Sequence, residues 1–171
     1  MILLAAVALT ACEEKKQPVF EDAGQGTVAP PPVVVVADAG EAKLPPAIES
    51  FRLADAALTA GKLDEAIARA NEATKADPNF LLGWNVLGRA EAAKFEQKHE
   101  AATALKAREA FGRALKLDPN FLPAWENLAA LEQADGRTQK AAEAWARVLA
   151  ISPNHPDKAR ITAFIADAGT H

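Results

Sequence analysis

The sequence has little of what catalytic and disulfide-stabilised proteins use most. Its 171 residues include no tyrosine, one cysteine, three tryptophans and seven phenylalanines. A single cysteine excludes an intramolecular disulfide. The 19 basic residues are outnumbered by 23 acidic ones and form no patch, so nucleic acid is not an expected partner. Half of the residues are apolar and alanine is abundant, which favours closely packed helices over a β-sandwich or a barrel.

Residues that could carry catalysis are also sparse. The few serines and histidines are spread over predicted loops and the tail, and they are Ser50, Ser152, His99, His155 and His171. No Gly-x-Ser-x-Gly, His-Glu-x-x-His or phosphate-binding glycine loop is present. His99 lies near Glu96 and Glu100, but two acids and one histidine on a helical surface are usually solvated charge. We therefore predict no enzymatic activity, no metal site and no cofactor.

The N-terminus is an apolar run that ends at the only cysteine. Residues 1–11 carry no charged side chain, and they are too few to span a bilayer, which takes about 20 residues. A run of this length is typical of the apolar core of a signal peptide. Such a peptide normally opens with a basic segment, and none precedes Ile2. One explanation is that the natural start lies upstream.

The four residues Leu9-Thr10-Ala11-Cys12 resemble the bacterial lipoprotein signal, and the chain turns polar directly after them. The resemblance implies that residues 1–11 are removed and that Cys12 is lipidated to become the mature N-terminus. It also implies a lipid anchor in the bacterial cell envelope, with the outer membrane facing the periplasm favoured over the outer face of the inner membrane. The alternative is an incidental cysteine in a frayed apolar N-terminus.

A linker is predicted for residues 12–46, which hold six of the eleven prolines and no amphipathic period. Proline blocks favour extended polyproline II chain without a packed core, so the segment is interpreted as a disordered tether. At about 3.1 Å per residue it could reach roughly 100 Å when fully extended. The uncharged run 33–36 is four valines, which could instead pair with the sheet edge of a partner. We favour the linker.

The rest of the chain repeats itself. Asp-Pro-Asn stands at 77–79 and again at 118–120, and Ser-Pro-Asn stands at 152–154. Each tripeptide follows an alanine-rich stretch with helical spacing of apolar residues, and its proline ends a helix. The tripeptides lie 41 and 34 residues apart. A repeat length in this range is typical of stacked helical hairpins. The sequence therefore predicts three repeats, residues 47–79, 80–120 and 121–154, ended by Pro78, Pro119 and Pro153.

The second repeat is longer than the third. Trp84 and Pro119 are 35 positions apart, whereas Trp125 and Pro153 are 28 apart. Seven extra residues are nearly two helical turns. We therefore expect this hairpin to be longer by about one turn per helix and to project past its neighbours near residues 95–103.

These positions resemble the tetratricopeptide repeat. In that family a bulky residue is followed by Leu-Gly, the second helix carries an alanine and an aromatic residue, and a proline closes the repeat. The resemblance implies an all-α fold, a right-handed superhelical stack of three repeats. Residues 155–171 would add a capping helix, because Ile161, Phe164 and Ile165 form an apolar stripe there. The residues expected in the repeat core are Leu53, Ala66, Trp84, Leu87, Gly88, Ala107, Phe111, Trp125, Leu128, Ala141 and Trp145.

The resemblance further implies a concave groove lined by the first helix of each repeat, which would bind a peptide or helix of another protein. The groove residues would be Phe51, Asp55, Leu58, Asn85, Arg89, Ala92, Glu126, Ala130 and Gln133. Chaperone-binding members hold a C-terminal carboxylate with Lys and Asn, but Phe51 and Asp55 occupy those positions here, so that clamp is not carried over. The alternative is that these are ordinary half-buried helix residues.

The sequence thus predicts a membrane-anchored, non-catalytic scaffold for protein–protein interactions. It would serve as an accessory to secretion, pilus or outer-membrane assembly. A self-associating structural lipoprotein is the alternative, in which the stack forms homo-oligomers.

Overall fold

A computed structural model describes residues 43–170. Its regular structure in this range is entirely helical, as predicted. The seven helices are α1 (Pro46–Thr59), α2 (Leu63–Ala76), α3 (Leu81–Lys98), α4 (Ala101–Leu117), α5 (Leu122–Ala134), α6 (Thr138–Ile151) and α7 (Lys158–Ala168). The predicted signal peptide, Cys12 and nearly all of the tether lie outside the described residues. Within residues 43–170, no helix is both long and apolar enough to cross a membrane.

The helices pair into three hairpins, α1 with α2, α3 with α4, and α5 with α6. Helix α2 also packs on α3, and α4 packs on α5, so each hairpin stacks on the next. The first helices contact one another from α1 to α3 and from α3 to α5, whereas α2, α4 and α6 do not. The first helices therefore form the inner side of the stack and the second helices its outer side. Helix α7 packs on α6 at the end, as expected for a cap.

The repeated tripeptides form the turns between hairpins. The Asp77 carboxylate accepts a hydrogen bond from the backbone N–H of Asn79 at 2.9 Å, and Asp118 accepts one from Asn120 at the same distance. This contact is typical of aspartate in tight turns. The indole N–H of Trp84 donates to the carbonyl of Pro78 at 2.8 Å. The indole N–H of Trp125 donates likewise to the carbonyl of Pro119, so the two Asp-Pro-Asn turns are each joined to the helix that follows.

Alanine makes up most of the core. Phe111, Ala66, Ala107 and Ala141 are fully buried, and Leu87 is also buried. Small side chains allow the helices to approach closely, and the larger ones fill the space between hairpins. The remaining bulky residues of the predicted core are half-buried, and they are Trp84, Trp125, Leu128 and Trp145.

The prediction for Leu53 was wrong, because its side chain is 45% exposed. Its counterpart in the second repeat is Leu87, which is buried where α2 of the preceding hairpin packs on α3. Helix α1 opens the stack, and the described residues contain no earlier hairpin to cover it. An apolar residue at that position remains exposed for this reason.

The long second hairpin is confirmed. Helix α3 has 18 residues against 13 in α5, and α4 has 17 against 14 in α6. Phe95 lies in the added part of α3 and is buried in the core cluster with Ala104 and Ala107. Residues 96–102 at the tip are exposed.

Candidate functional site

A depression of about 240 Å³ lies on the inner side of the stack. Its walls come from α1, α3 and α5, with the edge of one ring from α4. The lining residues are Leu58, Arg89, Ala92, Ala93, Glu96, Phe111, Asn127, Ala130 and Leu131. Four of the nine predicted groove residues are therefore brought together there, Leu58, Arg89, Ala92 and Ala130.

An ion pair crosses the edge of this depression. The guanidinium of Arg89 on α3 donates to the carboxylate of Asp55 on α1 at 2.9 Å. Both side chains are more than 40% exposed, so the pair contributes little to stability. Its more important effect is to hold a charged donor at the rim of a surface that is part polar and part apolar. Glu96 adds an acidic group about two turns further along α3.

Two amides bridge the inner helices. Asn85 on α3 is 8% exposed, and its Oδ1 lies 3.4 Å from Nδ2 of Asn127 on α5. Asn127 was missed by the sequence analysis, which used the equivalent positions of successive repeats. The equivalent of Asn127 in the second repeat is Val86, a fully buried residue. An amide at a position that is apolar in the neighbouring repeat was the available signal.

The other predicted groove residues do not line the depression. Phe51 packs edge-on against Phe80, with ring centroids 5.5 Å apart. The other two form contacts towards the end of the stack: Glu126 with His155 at 2.8 Å, and Gln133 with the indole N–H of Trp145 at 3.4 Å. These side chains join structural elements.

The lining suits binding better than chemistry. Alanine and leucine side chains supply apolar contact, and Arg89, Glu96 and Asn127 supply directional polar groups. Among residues 43–170, no group of three or more His, Cys, Asp or Glu side chains is placed to hold a metal ion.

The geometry of paired helices, inner groove and Pro-ended repeats agrees with a sequence comparison. The family model described as tetratricopeptide repeat matches residues 51–105 and 104–156. These matches cover more than half of the chain, so the protein belongs to the tetratricopeptide repeat family. Proteins of this family generally mediate protein–protein interactions, on a fold that is typically a non-catalytic scaffold. No curated protein sequence matches significantly.

Solved structures show the same fold. The TPR2B domain of yeast Sti1, in a complex named for pHsp70, has a TM-score of 0.61 and 19% identity, covering 73% of this chain and 97% of that one. The first repeat domain of Spaghetti (RPAP3), bound to the HSP90 peptide SRMEEVD, has a TM-score of 0.59 and 21% identity over 72% of this chain and 93% of that one. TTC0263 from Thermus thermophilus has a TM-score of 0.60 and 19% identity over 71% of this chain and 63% of that one. The all-α stack predicted from the sequence is thereby confirmed.

Proposed function

We propose that this protein is a lipid-anchored scaffold of the bacterial cell envelope that holds a peptide or helix of another protein in its inner depression. Three things support the binding role: the family, the peptide complexes of similar structures, and the mixed lining around Arg89. The observation that carries the proposal is the depression itself, which three inner helices from successive hairpins build jointly. A partner segment would bury apolar side chains against Leu58, Ala93 and Ala130 and accept hydrogen bonds from Arg89.

The ligand would differ from that of the chaperone-binding relatives. The resemblance places Phe51 and Asp55 where those proteins use basic and amide side chains. In this structure Phe51 packs on Phe80, and the carboxylate of Asp55 is paired with Arg89. An acidic C-terminal peptide would meet Asp55 and Glu96, so we propose an internal segment with apolar side chains instead.

A substitution on the floor of the depression tests this role. Ala130 is exposed on α5, and an arginine there would fill the depression. Ala150 is also an exposed helical alanine, on α6 and outside the depression. Peptides selected on the wild-type chain should lose binding to Ala130→Arg by at least about tenfold and keep it with Ala150→Arg. Equal binding by both variants would move the site elsewhere.

The membrane anchor is proposed from Leu9-Thr10-Ala11-Cys12. Labelling of cells with a fatty-acid analogue should mark the wild-type chain and leave Cys12→Ala unlabelled. Equal labelling of both would refute the anchor. Separating the two membranes would then show whether the lipid lies in the outer membrane, as proposed.

Self-association is kept as a second candidate because, within residues 43–170, no hairpin precedes α1 in the stack. Leu44, Ile48 and Leu53 are exposed apolar residues around α1, between 37% and 45% accessible. A second copy could cover them and continue the stack. Light scattering of the unlipidated Cys12→Ala chain decides this: mass that rises with concentration supports it, and a constant monomer mass rejects it.

A further inference from the structure

A second cavity lies on the outer side of the stack, away from the inner depression. It has a volume of about 340 Å³ and lies between α2 and α4, with α3 as its floor. Ile67, Asn71, Trp84, Leu87 and Ala110 form most of its wall. The charged residues that line it are Glu91, Lys106 and Glu109.

Glu91 is the unusual member of this set. Its side chain is only 4% exposed, yet within residues 43–170 it makes no side-chain hydrogen bond and no ion pair within 4.0 Å. Burial raises the pKa of Glu91, and the nearby charges of Lys106 and Lys94 partly offset that rise. The side chain as a whole is buried, but its carboxylate oxygens are not sealed from solvent. A carboxylate that opens into a cavity without a protein donor can accept hydrogen bonds from a ligand there.

The next repeat contains a second version of the same site. The counterparts from helix α5 are Trp125, Leu128 and Glu132, and the counterparts from helix α6 are Lys140, Glu143 and Ala144. These six residues line a cavity of about 510 Å³. Every one is identical to its counterpart in the first cavity.

In that second version the buried glutamate is paired. Glu132 is 6% exposed, and both of its carboxylate oxygens lie 3.1 Å from Nε of Arg108 on α4. Nε of Arg137 approaches the same carboxylate at 3.3 Å. Arg108 also pairs with Asp135. The chain itself therefore shows that a glutamate in this position accepts a guanidinium.

The first version lacks that arginine. Ile67 on α2 precedes the Asp77 turn by the same number of positions by which Arg108 precedes the Asp118 turn, so the two are equivalent. Ile67 lines the cavity beside Glu91. Glu91 is thus the equivalent of Glu132, but the position of its arginine donor, Arg108, is taken by the aliphatic Ile67. Within residues 43–170 no guanidinium pairs with Glu91, so its carboxylate can accept one from a ligand outside the chain.

We propose that the Glu91 cavity binds a guanidinium group, either of a free compound or of an arginine side chain on a partner. The carboxylate of Glu91 would accept its N–H groups, as Glu132 accepts those of Arg108. Ile67, Leu87 and the Trp84 indole would contact the methylene groups behind the cation. This site is separate from the inner depression and stands without the proposed function.

Nuclear magnetic resonance of the full unlipidated chain tests the proposal. The probes are agmatine for a free guanidinium and an acetylated, amidated Gly-Arg-Gly peptide for a side chain, with the same peptide carrying citrulline as the neutral control. We expect agmatine or the arginine peptide to shift the Trp84 indole N–H and leave that of Trp145 in place. Whichever of the two binds more tightly identifies the source. No shift with either probe at millimolar concentration would overturn the proposal.

Two variants test the role of the carboxylate. Glu91→Gln removes the charge, and Ile67→Arg supplies from within the arginine that Arg108 supplies to Glu132. Each should weaken guanidinium binding by at least about tenfold, while Glu49→Gln at an exposed position of α1, outside both sites, should leave it unchanged. Circular dichroism verifies that each variant is folded. Unchanged affinity in the folded Glu91→Gln and Ile67→Arg chains would contradict the assignment.

Discussion

A Cβ atom on Gly88 would lie 2.5 Å from Cε1 of Phe111, and the whole edge of that ring lies within 3 Å of the same point. Helices α3 and α4 therefore meet at a glycine because the phenyl ring occupies the space of any larger residue. In the third repeat the equivalent pair is Ala129 and Trp145, and Ala129 is fully buried. The two hairpins therefore make the equivalent helix–helix contact with different pairs of side chains.

Gly88→Ala should lower the free energy of unfolding by about 1–3 kcal/mol, because the fully buried Phe111 ring must move to admit the methyl group. Gly112→Ala on α4 is the matched control. A Cβ there meets nothing within 4 Å, so the same change should stabilise the chain by about 0.5–1 kcal/mol. Urea unfolding measures both. An unchanged free energy of unfolding in Gly88→Ala would mean that the Phe111 ring has free space beside it.

His99 has a left-handed backbone with φ of 52°, in the turn where the other hairpins have Gly61 and Gly136. A residue with a Cβ is strained in that conformation. His99→Gly should therefore stabilise the chain by about 0.5–1 kcal/mol, and Gly136→His should destabilise it by a similar amount. Thermal melts of the two variants check the prediction. Melting temperatures that shift in the same direction in both variants would contradict this prediction.

Trp125 is half-buried and donates its indole N–H to the carbonyl of Pro119 at 2.9 Å. Trp125→Ala should cost about 3 kcal/mol, since it removes both the ring and the hydrogen bond. Trp125→Phe keeps most of the ring contact and should cost about 1 kcal/mol. Denaturant unfolding separates the two values. Equal losses would show that the hydrogen bond, and not the ring, contributes most.

The raised pKa of Glu91 makes stability depend on pH. The folded state holds this proton more tightly than the unfolded state, so the stabilising effect is complete below the ordinary value of 4.5 and is lost as pH rises through the folded pKa. At pH 7, Glu91→Gln should therefore be more stable than the wild type, with a smaller difference below pH 4.5.

Glu132→Gln is the matched control for that experiment. It breaks the pairing of a buried carboxylate with Arg108 and Arg137, and it should destabilise the chain at pH 7 by about 3 kcal/mol. Unfolding curves at pH 4 and pH 7 give the free energy of unfolding of the wild type and of both variants. A Glu91→Gln variant less stable than the wild type at pH 7 would mean that the carboxylate has a partner after all.

The sequence predicted the helices well because their signals are local. A helix or turn is determined mainly by its own segment of chain. The local signals here are the alanine-rich stripes, Gly61, Gly136 and the prolines after Asp77 and Asp118. The extra length of the second repeat also predicted the longer α3 and α4, since helix length follows from residue count.

The predictions that were wrong or incomplete concern residues whose burial depends on neighbouring hairpins. Leu53 has the pattern of a core residue, but whether it is covered depends on a preceding hairpin. Asn127 reaches the inner side although its equivalent Val86 is buried. The contrast between Ile67 and Arg108 is visible in the sequence only after the repeats are aligned on their Asp-Pro-Asn turns, and its meaning depends on the burial of Glu91.

The most direct test of the central claim is photocrosslinking in intact cells, with a benzophenone amino acid placed in the full-length chain. At position 130 the probe would lie in the inner depression, and at position 150 it would lie on α6 outside it. A partner held in the inner depression should give a discrete crosslinked protein from position 130 and none from position 150. The same product from both positions, or from position 150 alone, would contradict a partner held in the inner depression.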